Sequence, residues 1–291
     1  MKVIEEHGKP GLATVYVAKT EQGLVEFTQA LDRPLPKEKK FVIIVSTLYG
    51  CPVNCLMCDA GKEYHGRVSK EDILAQINHV IQKNFPEGIN CEKLKIHFSR
   101  VGEPAYNIDV LEAIKELPPQ AMPCVSTIAP ATQTEFFEEL LKVKEQRKSF
   151  QLQFSIHTTD AKKRDEVIPV KKWSFDEINE YGERFVKEGD RKVTLNFATI
   201  KGNAIDPKTI NKHFNPKKFL VKVTPVNPNE SVKEHGLESF VDPEKPEVKE
   251  LFQELEENGF ETILSIGDLE ENKVKSNCGQ ILNRVRKNES D

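Results

Sequence analysis

Three cysteines stand within eight residues of the sequence, in the segment YGCPVNCLMCDAG. Cys51, Cys55 and Cys58 follow a C-x3-C-x2-C spacing. Thiolates this close together bind zinc or iron–sulfur clusters. A structural zinc site needs a fourth ligand, and His65 is the one candidate nearby. A 4Fe–4S cluster held by three thiolates keeps one iron open for a substrate or cofactor, and we favour this interpretation.

The cysteine loop directly follows a predicted strand. The segment FVIIVSTLY (41–49) is continuous, apolar and β-branched, as in strands that are buried on both faces of a sheet. The further predicted strands are 93–99, 123–129, 150–157, 192–200, 219–226 and 261–267. They alternate with helical patterns, which predicts an α/β fold with a parallel sheet, either a partial barrel or a doubly wound sheet. In both, the loops at the carboxyl ends of the strands carry the site.

Helical patterns fill the intervals between these strands. Ser69 is a suitable N-cap, and Ile73 and Ile77 fall on one face of the helix that follows it. The predicted helices are 69–84, 108–117, 132–146, 207–213 and 246–259, with broken helical patterns between the fourth and fifth strands up to 187. Residues 11–31 differ, because their apolar residues alternate around Gln22-Gly23 and predict a β-hairpin.

The composition indicates a soluble globular protein. The 291 residues carry a formal net charge of −4 and are 38% hydrophobic, with no apolar run near the length of a membrane span. The first residues lack the layout of a signal peptide, so we expect a cytosolic protein in which clustered thiols bind metal or act in catalysis. The acidic balance disfavours a broad nucleic-acid surface, while basic runs such as 37–40 and 162–164 form either solvated surface or a local RNA-contacting rim.

The cysteine spacing, on the loop after the first core strand, resembles the signature of radical S-adenosylmethionine (radical-SAM) enzymes. This resemblance implies a partial (β/α)6 TIM-type barrel with an N-terminal β-hairpin extension. It also implies that the three cysteines hold a 4Fe–4S cluster whose open iron binds S-adenosylmethionine (SAM). In that family the reduced cluster cleaves SAM to a 5′-deoxyadenosyl radical, which requires a reductant such as flavodoxin or ferredoxin. We expect an extension at 1–40, a core barrel at 41–270, and a tail at 271–291 with a cysteine loop and a short helix.

Short motifs after the later strands narrow the resemblance to one branch of the family. In order they are VGEP at 101–104, VSTIAP at 125–130, FSIHTT at 154–159, VTPVNPN at 223–229 and NCGQI at 277–281. This ordered set resembles the ribosomal and transfer RNA adenine methyltransferases that act on C2 or C8. The residues that the resemblance places around SAM are Gly102, Glu103, Ser126, Ser155, Ile156, His157 and Asn227.

The same branch implies two catalytic residues. Its CGQ cysteine accepts a methyl group from one SAM, and a second SAM generates the radical that activates that methyl group. Cys278 is the matching residue here, and a reactive thiol of this kind needs an accessible loop. The segment GLVEFTQA resembles the one that holds a general-base glutamate, which would be Glu26; the alternative is an exposed glutamate of the hairpin. We interpret Cys91 and Cys124 as structural.

Three departures from the branch leave its reaction open. A resolving cysteine precedes the first cluster cysteine by seven residues in those enzymes, and Ile44 stands there in this chain. We expect a hairpin-sized segment in place of their N-terminal RNA-binding domain. Met57 and 59–61 differ from the usual residues around the last cluster ligand.

Three functions therefore remain. The first is a radical-SAM enzyme acting on a small molecule, a nucleotide or a peptide, with Cys278 as a methyl or methylene carrier or with direct hydrogen abstraction. The second is an RNA adenine methyltransferase that releases its product with an external thiol or with Cys91 or Cys124. The third is a non-catalytic iron–sulfur protein that binds a partner or transfers electrons.

Overall fold

A computed structural model describes residues 1–61, 63–239, 242, 246–276 and 281–285. In these residues ten strands form one continuous sheet, and two short strands form a separate pair. The strands are β1 (Lys2–Lys9), β2 (Ala13–Lys19), β3 (Leu24–Leu31), β4 (Phe41–Val45), β5 (Leu48–Tyr49), β6 (Gly66–Arg67), β7 (Leu94–Phe98), β8 (Ala121–Thr127), β9 (Gln151–Ser155), β10 (Val193–Thr199), β11 (Phe219–Pro225) and β12 (Glu261–Leu264).

The parallel part of the sheet confirms the barrel-type fold. Its strands stand in chain order, β4-β7-β8-β9-β10-β11-β12, and each pairs in parallel with its predecessor. A doubly wound sheet would reverse its strand order at a switch point, which this order excludes. The parallel part contains seven strands, so β12 adds one strand to the six of the expected barrel.

The N-terminal extension continues the same sheet in the antiparallel sense. The hairpin predicted over 11–31 is present as β2 and β3, and β3 pairs with β4 from Thr28 opposite Ile44 to Leu31 opposite Phe41. The sequence reasoning missed β1, which pairs with β2 at the edge of the sheet. Its sequence KVIEEHGK is rich in charge, as edge strands commonly are, and so lacks the apolar pattern that identifies a buried strand.

Helices cover the outside of the parallel strands. Ser69 caps the first one as predicted, accepting a hydrogen bond from the Asp72 backbone N–H, and Ile73 and Ile77 are buried. The helices are α1 (Lys70–Asn84), α2 (Asp109–Lys115), α3 (Thr134–Glu145), α4 (Ala161–Val167), α5 (Phe175–Phe185), α6 (Pro207–His213), α7 (Glu230–Glu234), α8 (Pro246–Glu257) and α9 (Leu269–Lys273). The short helices α7 and α9 were not predicted. Within the described ranges, no helix has the length and apolarity to cross a membrane.

Candidate active site

A cavity of about 470 Å³ lies at the carboxyl ends of the parallel strands. Polar side chains from five successive strands or the loops that follow them contribute to its lining: Ser99, Ser126, Gln153, Asn196 and Thr224. Cys51, Cys55 and Cys58 line the same cavity from the loop after β5. The strand ends and the cysteine loop therefore meet where the sequence predicted a site.

The cysteine loop is closed at its base and packed tightly inside. β5 pairs with β6 across the base, through Leu48 opposite Arg67 and Tyr49 opposite Gly66. A Cβ atom at Gly61 would lie 2.7 Å from Asn54 Oδ1 and 2.8 Å from Asn54 Cα, so only glycine permits this close approach. The loop is thereby held compact around its three thiols.

Asp59 and Asn229 fasten the cysteine loop to helix α7. The buried Asp59 carboxylate accepts hydrogen bonds from the backbone N–H groups of Glu230, at 3.3 Å, and Ser231, at 2.8 Å. Asn229 caps the same helix and donates from Nδ2 to the Met57 carbonyl oxygen at 2.8 Å. Met57 and Asp59, which depart from the usual pattern around the last cysteine, therefore take part in the hydrogen bonds that anchor the loop.

The cysteine thiols have the chemistry that a cluster needs, although the ligand set is not preformed. Burial raises the pKa of Cys51 to about 11 and the pKa of Cys55 to about 12, so both are protonated thiols at neutral pH. In the described part of the chain, no three Cys, His, Asp or Glu side chains already stand as a metal site. Binding of a metal cluster would release the thiol protons and draw the loop together.

His65 does not complete a zinc site with these cysteines. Its ring stacks on Tyr49 with centroids 5.4 Å apart, and Nδ1 lies 2.8 Å from the Glu63 carbonyl oxygen. It is absent from the lining of the cavity that the three cysteines share. The donor set around the cavity consequently fits a three-thiolate cluster better than a four-ligand zinc ion.

Gly102 and Glu103 bring a buried carboxylate to the cavity. Glu103 Oε1 accepts hydrogen bonds from the Ala105 backbone N–H at 3.1 Å and the Thr127 hydroxyl at 2.5 Å. Its Oε2 accepts from the Ile128 backbone N–H at 2.9 Å. Burial nevertheless raises the pKa of Glu103 to about 7. A cation bound beside this carboxylate would offset the cost of its burial.

Gly102 must be glycine for two separate reasons, which predicts a large effect of Gly102→Ala. Its φ is +108°, and a Cβ atom would lie 2.6 Å from the Leu48 side chain. We expect a loss of at least about 2 kcal/mol in the free energy of unfolding, measured by urea denaturation. Gly189→Ala is the matched control, because Gly189 has φ +80° with no atom within 4 Å of the added Cβ. Equal losses in both variants would contradict the steric argument.

His157 presents a neutral imidazole to the cavity. Its φ is +66°, and Nδ1 accepts a hydrogen bond from the Ala198 backbone N–H at 3.1 Å, which leaves the ring proton on Nε2. Burial lowers the pKa of His157 to about 4. Nearby, the buried Asn196 Oδ1 has no hydrogen-bond partner in the described residues. The cavity thus offers a donor and an unsatisfied acceptor to a polar ligand.

The other residues that the resemblance placed around SAM divide into two groups. Ser126, Ser155 and Asn227 line the cavity together with Gly102, Glu103 and His157. The prediction of a cavity-lining Ile156 is wrong for its side chain, which is fully buried in the apolar core. Successive residues of a strand point to opposite faces, so Ser155 and Ile156 cannot both point into the barrel. The Ile156 backbone N–H donates to the Asn196 carbonyl oxygen at 2.8 Å.

The expectation of an exposed Glu26 is also wrong. Glu26 lies on β3 with its side chain fully buried, and its Oε1 is 2.5 Å from Arg100 Nη2. Arg100 lines the cavity, whereas Glu26 is not part of the lining. The sequence reasoning missed Arg100, although its place two residues before Gly102 was a usable signal.

Two of the remaining cysteines, Cys91 and Cys124, lie away from the described site. Cys278 falls outside the described residues, and its role stays a prediction. Cys91 and Cys124 are buried, one before β7 and one within β8, and neither lines the cavity. Burial raises the pKa of Cys124 to about 11, as for an inert thiol.

The chain is similar to known proteins in sequence and in fold. No family model matches the chain. A probable dual-specificity RNA methyltransferase RlmN from Pseudothermotoga lettingae is 30% identical over 190 residues, covering 63% of this chain and 54% of that protein. A protein of the same description from Petrotoga mobilis is 24% identical over 256 residues, covering 84% of this chain and 69% of that protein. This chain spans about half the length of the first relative.

Solved structures show the same fold at low sequence identity. The structure of Streptococcus suis SuiB bound to S-adenosylmethionine superposes with a TM-score of 0.51 and 14% identity, covering 79% of this chain and 50% of that chain. Sequence and fold together confirm the radical-SAM resemblance.

Proposed function

We propose that this chain, which resembles the radical-SAM superfamily in sequence and in fold, is an enzyme that binds a 4Fe–4S cluster and SAM. Cys51, Cys55 and Cys58 would hold the cluster. The observation that carries the proposal is that these three thiols line one cavity together with six of the seven residues that the motifs assign to SAM. When bound and reduced, the cluster supplies the electron that cleaves the SAM sulfonium.

The cavity residues would bind and orient SAM. The Glu103 carboxylate is suited to the SAM ammonium group, because a cation there favours the ionised form that burial disfavours. His157 Nε2–H can donate to an acceptor of SAM, and Asn196 Oδ1 can accept from a donor. Three Cys-loop residues with apolar side chains, Val53, Met57 and Ala60, also line the cavity and would help to exclude water.

The class of substrate is a second part of the proposal, separate from the cofactors. The relatives' name supports an RNA methyltransferase, with Cys278 as the methyl and methylene carrier. Ile44 weighs against the usual form of that reaction, since no thiol stands at this position to resolve an adduct. Our first proposal is therefore an enzyme that acts on a small molecule, a nucleotide or a peptide. A reductant such as flavodoxin or ferredoxin would supply its electrons.

Anaerobic reconstitution with iron and sulfide tests the proposal. We expect a protein that binds iron and, after reduction, converts SAM to 5′-deoxyadenosine and methionine. Iron-loaded protein that leaves SAM intact would instead support a non-catalytic cluster protein. Mass spectrometry of Cys278 then decides whether this thiol carries a methyl group. Tight RNA binding that weakens steeply with salt would favour the RNA methyltransferase over a small-molecule enzyme.

A further inference from the structure

A buried ion pair joins the N-terminal extension to the wall of the cavity. Arg100 Nη2 lies 2.5 Å from Glu26 Oε1, with side-chain exposures of 1% and 0%. Arg100 follows β7 and lines the cavity, and Glu26 lies in the middle of β3. Two charges held this far from water need further polar partners around them.

Both members of the pair find a further partner in the C-terminal part of the chain. Arg100 Nη1 donates to the Ser276 backbone carbonyl oxygen. Glu26 Oε2 accepts a hydrogen bond from the Leu282 backbone N–H at 2.6 Å. Ser276 is itself held by its N–H and its hydroxyl, which both donate to the Glu271 carbonyl oxygen at 3.1 Å.

Apolar packing continues this attachment along the helical segment 281–285. Ile281, Leu282 and Val285 are buried in one apolar cluster with Val15 and Val17 of β2. The C-terminal segment therefore shares one apolar cluster with the N-terminal extension, and its backbone is hydrogen bonded to both members of the buried ion pair.

We propose that the Glu26–Arg100 pair positions the C-terminal segment by holding its described residues Ser276 and 281–285 against the N-terminal extension and the Arg100 side of the cavity. The pair binds the chain at Ser276 and at Leu282, on either side of Cys278 in the sequence. The planar guanidinium directs two nitrogens to two partners, one in the extension and one in the tail. Glu26 is then a positioning residue that acts through the backbone of the tail, and not a base in contact with the substrate. The part concerning Cys278 chemistry rests on the proposed function.

Hydrogen exchange of the full chain tests the positioning. Glu26→Leu with Arg100→Leu removes both charges and so leaves neither one buried alone. We expect backbone amides in 276–285 to exchange at least about tenfold faster in this double variant, because the segment opens locally. Amides of α1 (Lys70–Asn84) should exchange as in the wild type, which shows that the barrel stays folded.

Two further variants test whether faster exchange is specific to loss of the Glu26–Arg100 pair. Arg284→Gln removes an exposed contact of the same segment, whose Nη2 lies 3.4 Å from Glu5 Oε2, and should change exchange less than about twofold. Arg100→Lys retains a cation for Glu26, but its single ammonium lacks the fork that serves both partners. We expect faster exchange in 276–285 with a thermal midpoint close to that of the wild type.

The proposal is overturned if exchange in 276–285 is unchanged in the double variant, or if Arg284→Gln accelerates it equally.

A second measurement is the fraction of Cys278 that carries a methyl group after incubation with SAM. We expect this fraction to fall in the double variant while iron content is retained. Unchanged methylation with loss of product would instead identify Glu26 as a base and overturn the positioning role.

A wild type that neither cleaves SAM nor methylates Cys278 would refute the proposed function. Hydrogen exchange would still decide whether the pair holds the C-terminal segment.

Discussion

Cys55→Ala is expected to lose most of its iron and all measurable SAM cleavage after anaerobic reconstitution. Three thiolates are the full protein ligand set of the proposed cluster, so two of them leave a second iron without a protein ligand. Cys55 lines the cavity and follows the left-handed Asn54, whose backbone sets the direction of the loop. Iron content, absorption of the cluster and 5′-deoxyadenosine formation are the measurements.

Cys91→Ala is the matched control for this loss. Cys91 is likewise a free cysteine, but it is buried before β7 and does not line the cavity. We expect Cys91→Ala protein to bind iron and cleave SAM at the wild-type level. Cys55→Ala protein that kept its iron and its SAM cleavage would refute the ligand assignment, and equal losses in both variants would indicate a general defect in folding.

Arg100→Leu alone is expected to cost about 3–5 kcal/mol in the free energy of unfolding, because it leaves the Glu26 carboxylate buried without its cation. The double variant Glu26→Leu with Arg100→Leu should recover most of this loss, since hydrophobic replacement of a whole buried pair is often neutral. Urea denaturation of the wild type, both single variants and the double variant gives the coupling energy between the two side chains.

The exposed pair Lys70–Glu116 provides the comparison for this experiment. Lys70 Nζ lies 2.8 Å from Glu116 Oε1, with side-chain exposures of 33% and 52%. Lys70→Leu should change stability by less than about 1 kcal/mol, because solvent screens the interaction. An Arg100→Leu variant that is no less stable than Lys70→Leu would show that Glu26 does not depend on its partner.

The sequence was most informative where local pattern and topology coincide. Apolar strand patterns that alternate with helical patterns predicted every strand of the parallel sheet. Parallel strands place the loops that follow them at one edge of the sheet. The cysteine spacing and the motifs after successive strands could therefore be assigned to one site from the sequence alone. Six of the predicted SAM-site residues do line one cavity with the three cysteines.

Contacts between distant parts of the chain could not be predicted in this way. A glutamate on an alternating hairpin indicates a solvent-facing residue, and the burial of Glu26 depends on Arg100 and on the C-terminal segment. The same holds for Asp59, whose carboxylate caps a helix that begins at Glu230. The error at Ile156 was of another kind, because the two-residue period of a strand already separates it from Ser155.

The hydrogen bond from Leu282 to Glu26 joins residues that are 256 positions apart, which bears on the order in which the chain folds. Each parallel strand pairs with its immediate predecessor in the sheet, so pairing proceeds stepwise during synthesis from the N-terminal side. The hydrogen bond from Leu282 to the Glu26 carboxylate can form only after residue 282 has left the ribosome. Closing so long a loop carries a large entropic cost. We therefore expect the barrel to form before the C-terminal segment docks.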